Sequence, residues 1–186
     1  MERAVNFVGF QCAWLACVAG AAVGRSWLAL PVVGAVVGWH VARANAPRRE
    51  LAVLLMAAAA GTLWDSVPAA AGWIVYDDGI VMERAAPWWI AALWLSFATT
   101  LNVSLRWLRG RWIVAALLGA AAGPLCYRAG AALGALSLAD PRTALAAQSV
   151  AWAVLLPALV AVARRFDGVE SAALHAQRVP VATGRV

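Results

Sequence analysis

Two charged residues interrupt long apolar runs: Asp65, after the uncharged stretch Leu51–Trp64, and Arg128, inside Trp112–Ala135. A charge held in hydrocarbon costs roughly 2.5–3.5 kcal/mol on insertion scales, so it seeks a partner or water and marks a candidate functional position. Counted from the same side of a membrane, Asp65 lies ~21 Å deep and Arg128 ~24 Å deep in a core of ~30 Å. The matched depths make them a candidate ion pair, with Tyr127, Thr62 and Gln148 as neighbours. Two plainer arrangements compete with it: Arg128 snorkelling to the outer interface, and Asp65 protonated and merely hydrogen-bonded.

A second polar group is expected nearer the opposite surface. Ser96, Thr99, Asn102 and Arg106 fall within about 120° of one another at 100° per residue. Asn6, Gln11 and His40 sit at similar depth in other apolar runs. They line either a cavity open to the cytoplasm or, more simply, helix–helix contacts joined by hydrogen bonds of about a kilocalorie each.

Much familiar chemistry is missing. The chain has two histidines, His40 and His175, and no His/Cys/carboxylate cluster at metal-ligand spacing, so neither a metal nor a cofactor is expected. It carries no G-x-S-x-G, no H-E-x-x-H, and not the longer spaced Asp/Gly/Arg pattern of alcohol phosphotransferases. All fifteen basic residues are Arg; without Lys there is no Schiff-base lysine and no P-loop. Asp77-Asp78 precedes Gly79 in what reads as a solvated turn. Cys12, Cys17 and Cys126 all stand in apolar runs and read as small hydrophobes. The net charge of +6 comes from short Arg clusters between apolar segments, the pattern of membrane loops rather than of a nucleic-acid surface, so no nucleic-acid partner is expected.

The elements that must hold these residues follow from composition. At 64 % apolar, 13 % charged and mean hydropathy +0.77, the chain is far from a soluble globule. The pattern predicts an all-α integral membrane protein, a compact bundle of six transmembrane helices at about 4–24, 26–44, 51–76, 85–108, 112–135 and 143–163. Residues 1–163 form one domain and 164–186 a polar cytoplasmic tail. Ala19-Gly20-Ala21 resembles a signal-cleavage site, but Asn6 and Gln11 break the preceding run, so the first segment is expected to stay as a span. Arg3, Arg43, Arg48, Arg49, Arg106, Arg109, Arg111, Arg164 and Arg165 fall on one side, which places both termini in the cytoplasm of a bacterial inner membrane. Trp27, Trp73, Trp88, Trp89, Trp107 and Trp112 fit an interfacial belt, whereas Trp14, Trp39, Trp64, Trp94 and Trp152 are expected to pack between helices. Gly20/Gly24, Gly34/Gly38, Gly119/Gly123 and Gly130/Gly134 recur at the spacing that lets helices approach closely. The four on the fifth span share a face opposite Arg128, which predicts a central helix. Pro68, Pro124 and Pro157 interrupt spans, and no internal repeat of the transporter kind is present.

Three blocks carry a resemblance: Asn6-Phe7-Val8-Gly9-Phe10-Gln11 with Trp14, Leu63-Trp64-Asp65-Ser66, and above all Phe97 through Leu108, joined by Gly123-Pro124-Leu125 and Tyr127. Over about residues 5–163 the chain resembles a family of small bacterial inner-membrane proteins classed as a domain of unknown function. The resemblance implies no defined activity; some members are encoded near lipid-modifying enzymes, which points to a part in lipid metabolism. It marks Asn6, Gln11, Asp65, Asn102, Arg106 and Tyr127 as positions of interest. The leading expectation is a non-enzymatic bundle that binds or moves a lipid or small amphipathic molecule, or supports partner membrane proteins, with membrane lipids as partners, Asp65 at its centre and Arg128 as counter-charge. The alternative is an intramembrane lipid-modifying enzyme with Asp65 as acid–base and Asn102/Arg106 orienting a head group.

Overall fold

The computed structural model describes residues 3–169. Among these it forms α1 (Arg3–Ala22), α2 (Leu30–Ala42, entered through the 3₁₀ turn Ser26–Ala29), α3 (Pro47–Ala70), α4 (Trp88–Ala98), α5 (Trp112–Ala132) and α6 (Pro141–Arg165). Two short strands, β1 (Ile74–Val75) and β2 (Ser137–Leu138), pair antiparallel and tie the α3–α4 connection to the α5–α6 connection. The expectation of helix throughout is corrected by this ribbon. Four helices, α1, α3, α5 and α6, are long and apolar enough to cross a membrane. Their outward faces carry Leu15, Leu55, Leu63, Ile113, Leu117, Val150 and Val154, all exposed. Large aliphatics facing out from every long helix suit lipid, not water.

Helix limits follow local chemistry. Pro47 and Pro141 sit in the first turns of α3 and α6, where a missing N–H costs nothing. Asp140 caps α6 by accepting from the Thr143 N–H at 3.2 Å. The expected third span, 51–76, is shifted: the helix starts earlier, at Pro47, and ends at Ala70.

The fourth expected span, 85–108, is not a single helix. α4 stops at Ala98, and residues 99–105 form successive turns before a 3₁₀ turn at Arg106–Leu108. Thr99 and Thr100 end it by donating their hydroxyls to the carbonyls of Ser96 and Phe97, at 2.7 and 2.6 Å. Irregular backbone survives in such a setting only when enclosed by protein. Ser96 through Val103 is buried throughout, so this segment is enclosed by the bundle.

α4 packs on α3, α1 and α2, while α5 and α6 form a close pair. That pair rests on Gly119 and Gly123: a Cβ at Gly119 would lie 2.1 Å from the Trp152 carbonyl oxygen, and one at Gly123 2.5 Å from the Trp152 ring. The Gly34/Gly38 pair is different, since a Cβ at either position would meet nothing within 4 Å. Trp94 and Trp152 pack inside, as expected, but Trp39 is 43 % exposed and Trp89 is buried rather than interfacial.

The bundle has two distinct ends. At one end the Ser104 hydroxyl donates to the Arg3 carbonyl, and the segment after α6 meets the α2–α3 turn, so the first and last described residues lie together. The opposite end holds the β1–β2 ribbon and the Asp77–Gly79 turn, where the Asp78 carboxylate accepts from the Ser26 N–H at 2.8 Å. The expected tail begins differently from the reading above. Residues 166–169 fold back onto the bundle, and 170–186, with His175, lie outside the described residues.

Candidate functional site: two buried carboxylates at opposite ends of one helix

Asp65 lies on α3, fully buried. Gly61, one turn earlier, allows the Trp94 indole to lie flat on the helix, since a Cβ there would fall 2.0 Å from the ring. This places Trp94 Nε1, which donates to Asp65 Oδ2 at 2.7 Å. Asp65 Oδ1 accepts from the Tyr127 hydroxyl and from Gln148 Nε2, the latter at 3.1 Å. Trp64 Nε1 donates to the other end of the same amide, Gln148 Oε1, at 2.9 Å, which fixes its orientation. A carboxylate is thus met by donors from α4, α5 and α6, each of them neutral.

Arg128 is not among those donors. It is exposed on the outer face of α5, and among the described residues it makes no ion pair, so the expected Asp65–Arg128 pair is corrected. The reason is angular: Tyr127 faces the core, and the next residue is turned 100° away from it. Thr62 sits one turn below Ser66, whose hydroxyl donates to the Thr62 carbonyl, and its own hydroxyl has no partner among the described residues.

Beside Asp65 is a cavity of about 50 Å³, walled by α1 (Phe10, Trp14, Val18) on one side and α5 (Cys126, Gly130) on the other. Trp94 and Trp152, stacked at 4.8 Å, and Phe97, edge-on to both, form an aromatic wall. α1 and α5 flank the cavity without packing closely on one another. Trp152 Nε1 is buried and finds no acceptor among the described residues.

The second carboxylate is Glu50, in the first turn of α3 and also fully buried. Its Oε2 lies 2.8 Å from His40 Nε2, and its Oε1 accepts from Asn102 Nδ2 at 2.5 Å and from the Gly168 N–H at 2.9 Å. Asn102 passes the network on: its Oδ1 accepts from Arg109, and its carbonyl from Arg106 Nε at 3.1 Å. Arg106 and Arg109 both bind Asp167, whose other oxygen takes the Val169 N–H at 2.9 Å. The Ala46 N–H donates to the Gly168 carbonyl at 2.8 Å, and Asn45 Nδ2 to that of Val169 at 2.6 Å. Gly168 fits without slack, because a Cβ there would lie 2.5 Å from the Ala46 carbonyl oxygen.

The expected polar residues therefore sort into three groups. Asp65, Tyr127 and Gln148 form the first cluster, and Asn102, Arg106 and His40 the second. Asn6 belongs to neither: its amide donates to the Thr99 carbonyl at 3.2 Å and its oxygen shares the Ser104 hydroxyl with the Arg3 carbonyl, bracing the irregular segment. Ser96 and Thr99 are buried and donate their hydroxyls to the carbonyls of Ala92 and Ser96. Gln11 is exposed on α1, which corrects its place among interior residues. Sequence reasoning missed Glu50, because Arg48-Arg49-Glu50 reads as a loop cluster; the usable signal was an acid in the first turn after a helix-starting Pro47. Among the described residues no group of three His, Cys, Asp or Glu is placed to hold a metal.

Four membrane-length apolar helices around a buried polar interior define an α-helical membrane protein. The chain belongs to a family described as a protein of unknown function, DUF2878, which matches residues 3–158. No curated protein and no solved structure matches the chain.

Proposed function

We propose that this protein is a multi-pass protein of the bacterial inner membrane that binds a small amphipathic molecule, its apolar part in the aromatic cavity and its polar group on Asp65. The reading rests chiefly on one observation: a buried carboxylate with only neutral donors borders a cavity whose walls are otherwise apolar. The unpaired Trp152 indole N–H beside that cavity supports it, since buried donors are nearly always satisfied. The ligand would enter laterally from the bilayer between α1 and α5, which both line the cavity and do not pack closely on one another.

In this reading six segments occupy the bilayer: four full spans, plus Ser26–Ala42 and the shorter α4 with its buried extension. Both termini face the cytoplasm. Arg3, Arg43, Arg48, Arg49, Arg106, Arg109, Arg111, Arg164 and Arg165 support this, gathered as they are at the Glu50 end.

The enzyme alternative needs Asp65 beside Asn102 and Arg106. Asn102 instead binds Glu50, fifteen residues or ~22 Å before Asp65 along α3, so that constellation is split between two networks. Native mass spectrometry of the purified protein tests the binding reading. The expected result is a single co-purified amphiphile on the wild type, absent from Asp65→Asn. Bare wild-type protein, or identical adducts on both, would refute it.

A further inference from the structure

Of the acidic side chains in the described fold, the buried Glu50 and the part-buried Asp167 have basic partners. Glu50 meets His40, and Asp167 meets Arg106 and Arg109. Asp65 has none among the described residues: its donors are an indole, a phenol and a carboxamide. A carboxylate in a site of low polarity attracts a positive group far more strongly than it would in water. The rest of the cavity adds to that preference, because Phe10, Trp14, Trp89, Phe97 and Trp152 line it, and aromatic rings can attract cations. An anionic head would be repelled by Asp65, and a neutral hydroxyl would leave its charge unanswered. The cavity's size, about 50 Å³, suits an ammonium group with its first methylenes, any larger part of the molecule staying outside.

We infer that the ligand's polar group is a protonated amine on an alkyl chain, which donates to Asp65 while its first methylenes lie against the Trp94–Trp152 wall. This deepens the amphiphile reading above and rests on it.

The test is a titration of intrinsic tryptophan fluorescence with the protein in an uncharged maltoside detergent at pH 7. Three probes of equal chain length are compared: dodecylammonium, N-dodecylacetamide and dodecyl sulfate. The expected result is saturable quenching by dodecylammonium at about tenfold lower concentration than by the acetamide, with dodecyl sulfate weakest. In Asp65→Asn the ammonium preference should fall to within about twofold. Equal responses to ammonium and acetamide in the wild type would overturn the amine assignment and leave the amphiphile reading standing. No saturable response to any probe would overturn both. A preference that survives in Asp65→Asn would assign it to a different acid and overturn the proposal. Because the wild-type comparison needs no variant, it holds even if Asp65→Asn fails to fold. Repeating the ammonium titration in nanodiscs of phosphatidylethanolamine and of phosphatidylcholine separates the sources. Competition by the first lipid supports the proposal with a lipid amine as ligand, and its absence supports it with a free amine.

Discussion

Asp65 and Glu50 stand on the same helix, both fully buried, and are treated in opposite ways. Glu50 is closed off. It has a histidine against one oxygen, an asparagine and a backbone N–H on the other, and the Asp167–Arg106–Arg109 ion pairs outside it. Asp65 is held by neutral donors and faces a cavity. A carboxylate with a full set of partners, one of them a base, is built for holding elements together. One with an open side and no counter-charge keeps interaction energy in reserve for a ligand. The two ends of α3 thus differ: one closes on its own partners, and the other leaves a carboxylate beside a cavity, where we propose that a ligand binds.

The sharpest way to break this contrast is to remove Glu50. Glu50→Ala strands His40, Asn102 and the Gly168 N–H in a buried site, and the expected loss is about 3 kcal/mol or more. It is read as the largest fall in melting temperature of the detergent-solubilised protein. If Glu50→Ala melted like the wild type, the clamp would not exist. Next come two glycines in close helix contacts: Gly61 under the Trp94 ring and Gly119 against the Trp152 backbone. Gly61→Leu and Gly119→Leu force side chains into Trp94 and Trp152 and should cost up to about 3 kcal/mol, whereas Gly34→Ala and Gly38→Ala should leave stability level or raise it by up to about 1 kcal/mol. Thermal melts of the four variants give the ranking.

Asp65→Asn should cost less than Glu50→Ala. Its amide turns one donor toward the Trp94 N–H, a loss of about 1–2 kcal/mol, offset in part by removal of an unpaired charge. The expected signature is a folded protein without ligand. Asp167→Asn should cost about 1 kcal/mol, because its pairs with Arg106 and Arg109 are part-buried and partly screened. It should also raise hydrogen exchange at Gly168 and Val169.

The smallest effect is at the opposite surface. Hydrogen bonds from Ser26 hold the Asp78 carboxyl below its ordinary range. A depressed value means that this tie is complete above the usual carboxylate pKa and fades as pH falls through the folded value. Hydrogen exchange at Ser26 should therefore rise as pH drops below about 4, after correction for intrinsic rates, and Asp78→Asn should remove that dependence.

How much of this was legible beforehand depended on the kind of signal. The helices were readable from apolar runs. Asp65, Tyr127 and Gln148 were readable as one neighbourhood, because an isolated acid must find donors at its own depth. The break after Ala98 was hidden, since Thr99, Asn102 and Arg106 alternate with Leu101, Val103, Leu105 and Leu108 in a way that reads equally as the polar face of a continuing helix. Arg128 misled because depth was matched while direction was not. Glu50 was hidden by Arg48 and Arg49, whose charges made a buried acid look like loop. The clamp depends on Asp167 and Gly168 returning to the α2–α3 turn, a long-range contact that periodicity does not reveal.

Photoaffinity mapping tests the division of labour most directly. An alkylamine carrying a diazirine on its chain is bound to the purified protein and activated, and the labelled peptides are identified. The expected label falls on the cavity walls, at Phe10, Trp14, Val18 and Cys126, saturates at one equivalent and disappears in Asp65→Asn. Label spread over the lipid-facing leucines, or concentrated around His40 and Glu50, would contradict it.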